Sequence, residues 1–141
     1  MSYYLSNELR QKIIETDKQF CCYCQTSQIN SGIPLSFDHI KPQSARGETS
    51  FENVCLSCRT CNEFKSNRAE VVDPLTGATV FLFHPRRQRW SDHFVWSADG
   101  VHIEGLTPVG RATITALRMN NPIITAARER WVISGWHPPS D

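Results

Sequence analysis

The sequence predicts an α+β fold. Short strands and helices are stapled by a four-cysteine zinc knuckle, and a C-terminal β-hairpin and two helices extend it. Three observations carry this reading. Two paired-cysteine knuckles, Cys21-x-x-Cys24 and Cys58-x-x-Cys61, bracket a short-strand region. Ala98-Asp99-Gly100 separates two apolar runs, the pattern of a hairpin. Thr107-Pro108 and Asn121-Pro122 each place a capping side chain before a proline, the pattern of a helix start.

Residues 6–17 form a helix, with Ser6 as cap and Leu9, Ile13 and Ile14 as an apolar stripe. The first knuckle, Phe20 to Cys24, follows. Residues 25–33 are polar around Gly32 and read as a loop. Ile33 to Ile40 alternates poorly but is apolar enough for a short strand carrying Asp38 and His39. Residues 42–51 hold Pro42, Ser44, Gly47 and Ser50, and form another loop. Phe51 to Leu56 is a second strand. The second knuckle then leads into a polar helix over residues 62–70.

Beyond Asp73-Pro74 the composition changes. Thr79 to Phe83 is a strand, and Phe94–Ser97 with Val101–Leu106 makes the hairpin. One helix begins at Pro108, with Ile114, Leu117 and Met119 along its stripe. Another begins at Pro122 and ends near Gly135. Trp90, Trp96, Trp131 and Trp136 fill the core. His84, His93, His102 and His137 lack ligand spacing and default to surface or satisfied core positions. The expected organisation is a single domain, residues 1–141, with a core at 18–70 and an extension at 75–141.

Composition narrows the class. The chain has 141 residues, 40% of them hydrophobic and 21% charged, which suits a folded globular protein. Its 15 Lys+Arg against 14 Asp+Glu leave a net charge of +1, so any affinity for phosphates must come from local clustering. No apolar run is long enough for a membrane span. The start, Met1-Ser2-Tyr3-Tyr4-Leu5, lacks a charged region followed by an apolar one, which makes a cytoplasmic location the default expectation.

Cysteines in such a chain serve metals more than disulfides, although spacing alone separates the two readings. With two residues between them, paired thiolates reach one ion while the intervening amides turn toward the sulfurs. Cys21, Cys24, Cys58 and Cys61 make a closed tetrahedral site for one zinc. A closed site leaves no position for substrate, so this zinc is structural and contributes folding energy. Cys22 is left as a partly exposed thiol, and Cys55 as a small buried hydrophobe.

The segment between and beyond the knuckles reads Phe37-Asp38-His39-Ile40-x-Pro42, then Glu52-Asn53-Val54, then Cys58-x-x-Cys61-Asn62-x-x-Lys65. With the spacing His39-x13-Asn53-x8-Asn62, it resembles the HNH endonuclease family, in the branch with paired zinc knuckles. The likeness covers roughly residues 18–70. It implies a ββα-metal core that hydrolyses DNA phosphodiesters with one Mg²⁺ or Mn²⁺. His39 would be the general base, an imidazole whose pKa lies near working pH. Asp38 and Asn62 would hold the catalytic ion through hard oxygen ligands. Asn53 would orient His39 through a loop or backbone hydrogen bond.

Each residue also has an ordinary reading. An Asp-His pair alone marks a surface turn, Asn53 caps a turn, and Asn62 caps a helix. Lys65 and Arg68 on the site's helix are expected to contact DNA phosphates or to line a solvated face. Arg86, Arg87 and Arg89, in the run His84 to Trp90, are expected to hold the DNA backbone; the ordinary reading is a charged loop. A zinc-stabilised nucleic-acid-binding module without activity is the alternative function. A zinc-ribbon interaction protein is the third.

Overall fold

The computed structural model describes residues 4–140. Met1 to Tyr3, on which the reading of the N-terminus partly rests, lie outside the described residues, as does Asp141. The chain divides into two compact units, Met1–Asn67 with His84–Arg87, and Arg68–Phe83 with Gln88–Asp141. Among the described residues no helix is long and apolar enough to cross a membrane.

The first unit opens with α1 (Asn7–Asp17). The Ser6 hydroxyl accepts from Leu9 N at 3.1 Å, and Lys18 closes the helix in the left-handed region with its N–H on Ile14 O. α2 (Gln28–Ser31) is a single turn capped by Ser27 and ended by Gly32. It lies where a plain loop was expected over 25–33. Ser27 and Gly32 are the cap signals that the polar composition masked.

β1 (Leu35–His39) pairs antiparallel with β2 (Val54–Cys58), in the register Phe37↔Leu56, Asp38↔Cys55 and His39↔Val54. Side chains alternate along a strand, so Leu35, Phe37, Val54 and Leu56 share one face. That face closes the core with Leu5 and Ile13, flanked by Leu9, Ile14 and Phe51. Asp38 and Cys55 belong to the other face.

β2 starts three residues later than the expected 51–56 strand, because Phe51–Asn53 is a 3-10 turn. The register is set from outside the ladder. Leu56 donates its N–H to Asp17 Oδ2 at 2.9 Å and accepts from Cys22 N at 2.9 Å.

α3 (Arg59–Lys65) follows β2 without a loop, and Cys58 is its N-cap. The helix expected over 62–70 therefore begins earlier and stops at Lys65. Residues 84–87 belong to the first unit through Arg86. Its guanidinium binds both oxygens of Asp17 at 2.6 and 3.1 Å and donates to Phe51 O and Val54 O. The guanidinium also lies over the Phe51 ring, 4.3 Å from its centroid.

In the second unit β3 (Glu70–Val72) pairs with β4 (Thr79–Phe81), where residue 70 was expected to end a helix. Asp73 organises the turn between them, accepting from Leu75 N, Thr76 Oγ1 and the Nε and Nη2 of Arg111. α4 (Trp90–His93) is a short turn within the expected loop. β5 (Phe94–Trp96) and β6 (Ile103–Gly105) form the hairpin. Its loop runs Ser97–His102 and is not a tight Asp-Gly turn.

α5 (Pro108–Leu117) and α6 (Pro122–Ser134) start on Thr107 and Asn121, and Gly135 closes α6 at φ +89°. The largest fully buried side chain of this unit is Arg128, which donates to Val101 O, Met119 O and Asn120 Oδ1. The four tryptophans are half-buried, not core-filling. Trp96, Trp131 and Trp136 stack their edges around the buried His137 ring at 4.5–5.7 Å.

Asp17 and Arg86 are 5% and 8% exposed, so removing the cation leaves a carboxylate without its counter-charge. Arg86→Met should lower unfolding free energy by roughly 3–5 kcal/mol. Urea denaturation of the protein as purified measures this, and a loss below about 1 kcal/mol would contradict it.

Candidate metal and catalytic site

The four knuckle cysteines converge. Every pair among the Cys21, Cys24, Cys58 and Cys61 sulfurs lies within 4.8 Å, and all four residues are buried. The Cys24 and Cys58 sulfurs are 3.7 Å apart. A tetrahedron of sulfurs about 2.3 Å from a zinc has edges of about 3.8 Å, so the spacing fits one zinc ion.

Local structure explains the convergence. Cys21–Gln25 is a turn, closed by Gln25 N on Cys21 O at 2.9 Å. Cys58 caps α3, which puts Cys61 in the helix's first turn with its N–H 3.5 Å from Cys58 Sγ. Cys58 N donates to Cys21 Sγ at 3.4 Å, and the Thr26 hydroxyl sits 3.2 Å from Cys24 Sγ. These polar hydrogens favour thiolates.

The thiols do not ionise alike. Hydrogen bonds from Cys21, Cys58 and Cys61 pull Cys24 well below the ordinary thiol value. Burial pushes Cys21 up, and interaction with Cys21 pushes Cys61 up. Four thiolates in one dry pocket repel one another, and a divalent cation is the charge that lets them ionise together. All six cysteines are free of disulfides. Cys22 is half-buried and Cys55 fully buried.

His39 lies at the end of β1 and is 7% exposed. Its Nε2 is 2.8 Å from the Thr49 hydroxyl. Burial, and then the Lys65 charge, lower its pKa from the ordinary 6.5, so the imidazole is neutral at neutral pH.

Asn53 does not touch the ring. Its Oδ1 accepts from Lys41 N at 2.8 Å, and its Nδ2 donates to Lys41 O and Glu48 O at 3.0 and 2.8 Å. Its backbone carbonyl accepts from Ile40 N at 2.8 Å. It thus laces the 41–48 loop shut one residue before Thr49. Gly47 is essential to that closure, because a Cβ there would overlap the Lys41 carbonyl oxygen.

Asp38 is 8% exposed, and burial raises its pKa while Lys65 opposes the shift. Its Oδ2 lies 3.3 Å from Lys65 Nζ and is otherwise a buried oxygen with no hydrogen bond. The same ammonium donates to His39 O at 2.8 Å. Asn62 is half-buried on α3, one turn before Lys65 and on the same side of the helix.

Two of the expected phosphate contacts are spent inside the fold. Lys65 is 2% exposed against Asp38, and Arg86 is locked on Asp17. Arg87 and Arg89 are exposed, as is Arg68, which donates to Ala116 O at 2.8 Å. Thr49, Gly47 and the burial of Lys65 carry no motif. Only Lys65 had a signal, since it follows the buried Cys61 by four residues and so shares its helical face.

Two antiparallel strands run directly into a helix, with a cysteine cluster at the junction, an α+β arrangement consistent with the HNH fold. Residues 21–68 match the family model described as HNH endonuclease. No curated protein and no solved structure matched the chain. The sequence resemblance to HNH endonucleases is therefore shown for that segment, and the family implies a nuclease.

The protein as purified should hold about one zinc per chain by elemental analysis. Cys61→Ser, or a strong chelator, should abolish the zinc and the cooperative unfolding of the first unit. A zinc-free protein with unchanged melting would exclude the structural metal.

Proposed function

We propose that the chain is a metal-dependent endonuclease that hydrolyses DNA phosphodiesters, with His39 as general base. The observation that supports it most is a His39 within the matched segment that lies 2.8 Å from the Thr49 hydroxyl, its pKa lowered by burial and then by the Lys65 charge. The β1–β2–α3 order fits a ββα-metal core.

In this reading a water oxygen bonds to phosphorus, the water's proton passes to His39, and the P–O3′ bond breaks with its electron pair leaving on the 3′ oxygen, which takes a proton from solvent. Asp38 and Asn62 would hold one Mg²⁺ or Mn²⁺, which would supply charge stabilisation to the hydrolysis. The buried Asp38 Oδ2 suits a cation, since Lys65 gives it a counter-charge but no hydrogen bond. Because Lys65 already balances that carboxylate, DNA phosphates must supply much of the ion's affinity. Asn53 holds the loop beside His39. Exposed Arg68, Arg87 and Arg89 remain the proposed backbone contacts, without base reading. A site of four thiol ligands suits a reducing, cytoplasmic setting.

The Asp38–Lys65 pair favours a second reading, a zinc-stabilised nucleic-acid-binding module that does not cut. There the lysine stands permanently where a cation would be needed.

Plasmid nicking with Mg²⁺ or Mn²⁺ separates the two. His39→Ala should lower the rate about 10²–10⁴-fold while melting stays unchanged. Equal nicking by both proteins would remove His39 from the chemistry, and DNA binding without nicking in any divalent ion would support the second reading. A depressed pKa means that the basic form persists on acidification, so the acid limb of kcat/KM should lie below pH 6.5. A limb above that value would contradict the role.

A further inference from the structure

Within the nuclease reading, the motif names His39 and Asn53 but nothing that touches the imidazole. The structure supplies that group. Thr49 Oγ1 lies 2.8 Å from His39 Nε2, at the end of a loop whose shape is over-determined. Asn53 binds Lys41 through both ends of its amide and Glu48 through Nδ2. Gly47 N donates to Pro42 O at 2.9 Å, and no side chain fits at residue 47. Glu48 is thereby fixed, and Thr49 is the next residue.

We propose that Thr49 is a positioning residue: its hydroxyl accepts from His39 Nε2–H and holds the imidazole in the tautomer that leaves the lone pair on Nδ1. An imidazole's tautomer is set by the hydrogen bond that one of its nitrogens makes. A hydroxyl is able to accept there because it can turn its own proton elsewhere. The nitrogen that takes the water's proton is then Nδ1. Asn53 acts one step further back, by delivering Thr49, and this is how an asparagine with no contact to the ring controls it. Thr49 is not itself a catalytic residue, since it touches only the base.

The proposal rests on the nuclease reading for its consequence in catalysis, but the tautomer can be measured without catalysis. Long-range ¹H–¹⁵N spectra of the purified protein, without added magnesium or DNA, report which His39 nitrogen carries the proton; comparison with His39→Ala assigns the signals. Wild type and Thr49→Ser should show Nε2–H, and Thr49→Val should show a mixture. An Nδ1–H tautomer in wild type, or an unchanged spectrum in Thr49→Val, would overturn the proposal.

In plasmid nicking, Thr49→Val should lose about tenfold in kcat with KM within about twofold, and Thr49→Ser should stay within about threefold of wild type. A folded Thr49→Ser as slow as Thr49→Val would also overturn it, because the hydroxyl would then not be the active feature. Absence of cutting by wild type would sink the nuclease reading alone, and the spectra would still decide the hydrogen bond.

Discussion

Four sulfurs within 4.8 Å of one another tie residue 21 to residue 61, and the first unit is arranged around that constraint. The apolar core between α1 and the β1–β2 ladder is small: four buried side chains with five partly buried neighbours. A two-stranded ladder of this size is marginal by itself. Closing the loop between Cys24 and Cys58 removes freedom from the unfolded chain, and closure of long loops contributes most. Because Cys58 is also the last residue of β2 and the cap of α3, the same point fixes a strand end and a helix start. Asp38 and His39 then meet α3 at a set distance, with Lys65 between them.

Charge follows a second rule, in which cations are consumed inside. Lys65 takes Asp38, Arg86 takes Asp17, and Arg111 takes Asp73. Each joins segments far apart in sequence, and each carboxylate would be costly to bury alone. Arg111 holds Asp73 well below the usual carboxylate range. These three pairs cancel charge inside the fold and leave the other Lys and Arg of a chain of net charge +1 outside them.

What was legible in the sequence was local. Ser6, Thr107 and Asn121 cap helices because each side chain bonds an amide three residues on, which any reader of the chain can see. The cysteine cluster was legible because ligand spacing is chemistry at short range. What was not legible depended on distant partners. The register of β2 is held by Asp17 and Cys22, which bond Leu56 from outside the ladder. Arg86 reads as a surface arginine until Asp17, 69 residues away, is placed against it. The tryptophans suit a core by composition, yet all four are half-buried, and Trp96, Trp131 and Trp136 ring His137.

The candidate catalytic residues show the same division. His39, Asp38, Asn53 and Asn62 are named by pattern, but a pattern gives residue types and not the bonds among them. Asn53 would be an ordinary turn residue if its three side-chain hydrogen bonds ended in the loop. They matter because the loop's next residue is Thr49, whose hydroxyl reaches the ring. The 41–48 loop therefore links the asparagine to the histidine through backbone, with Gly47 as the position where no side chain fits. A loop held at both ends keeps the imidazole in one orientation without a direct contact from Asn53. The cysteine cluster and His39 are thus supported separately, one by thiols at the helix start and the other by a laced loop at the strand end.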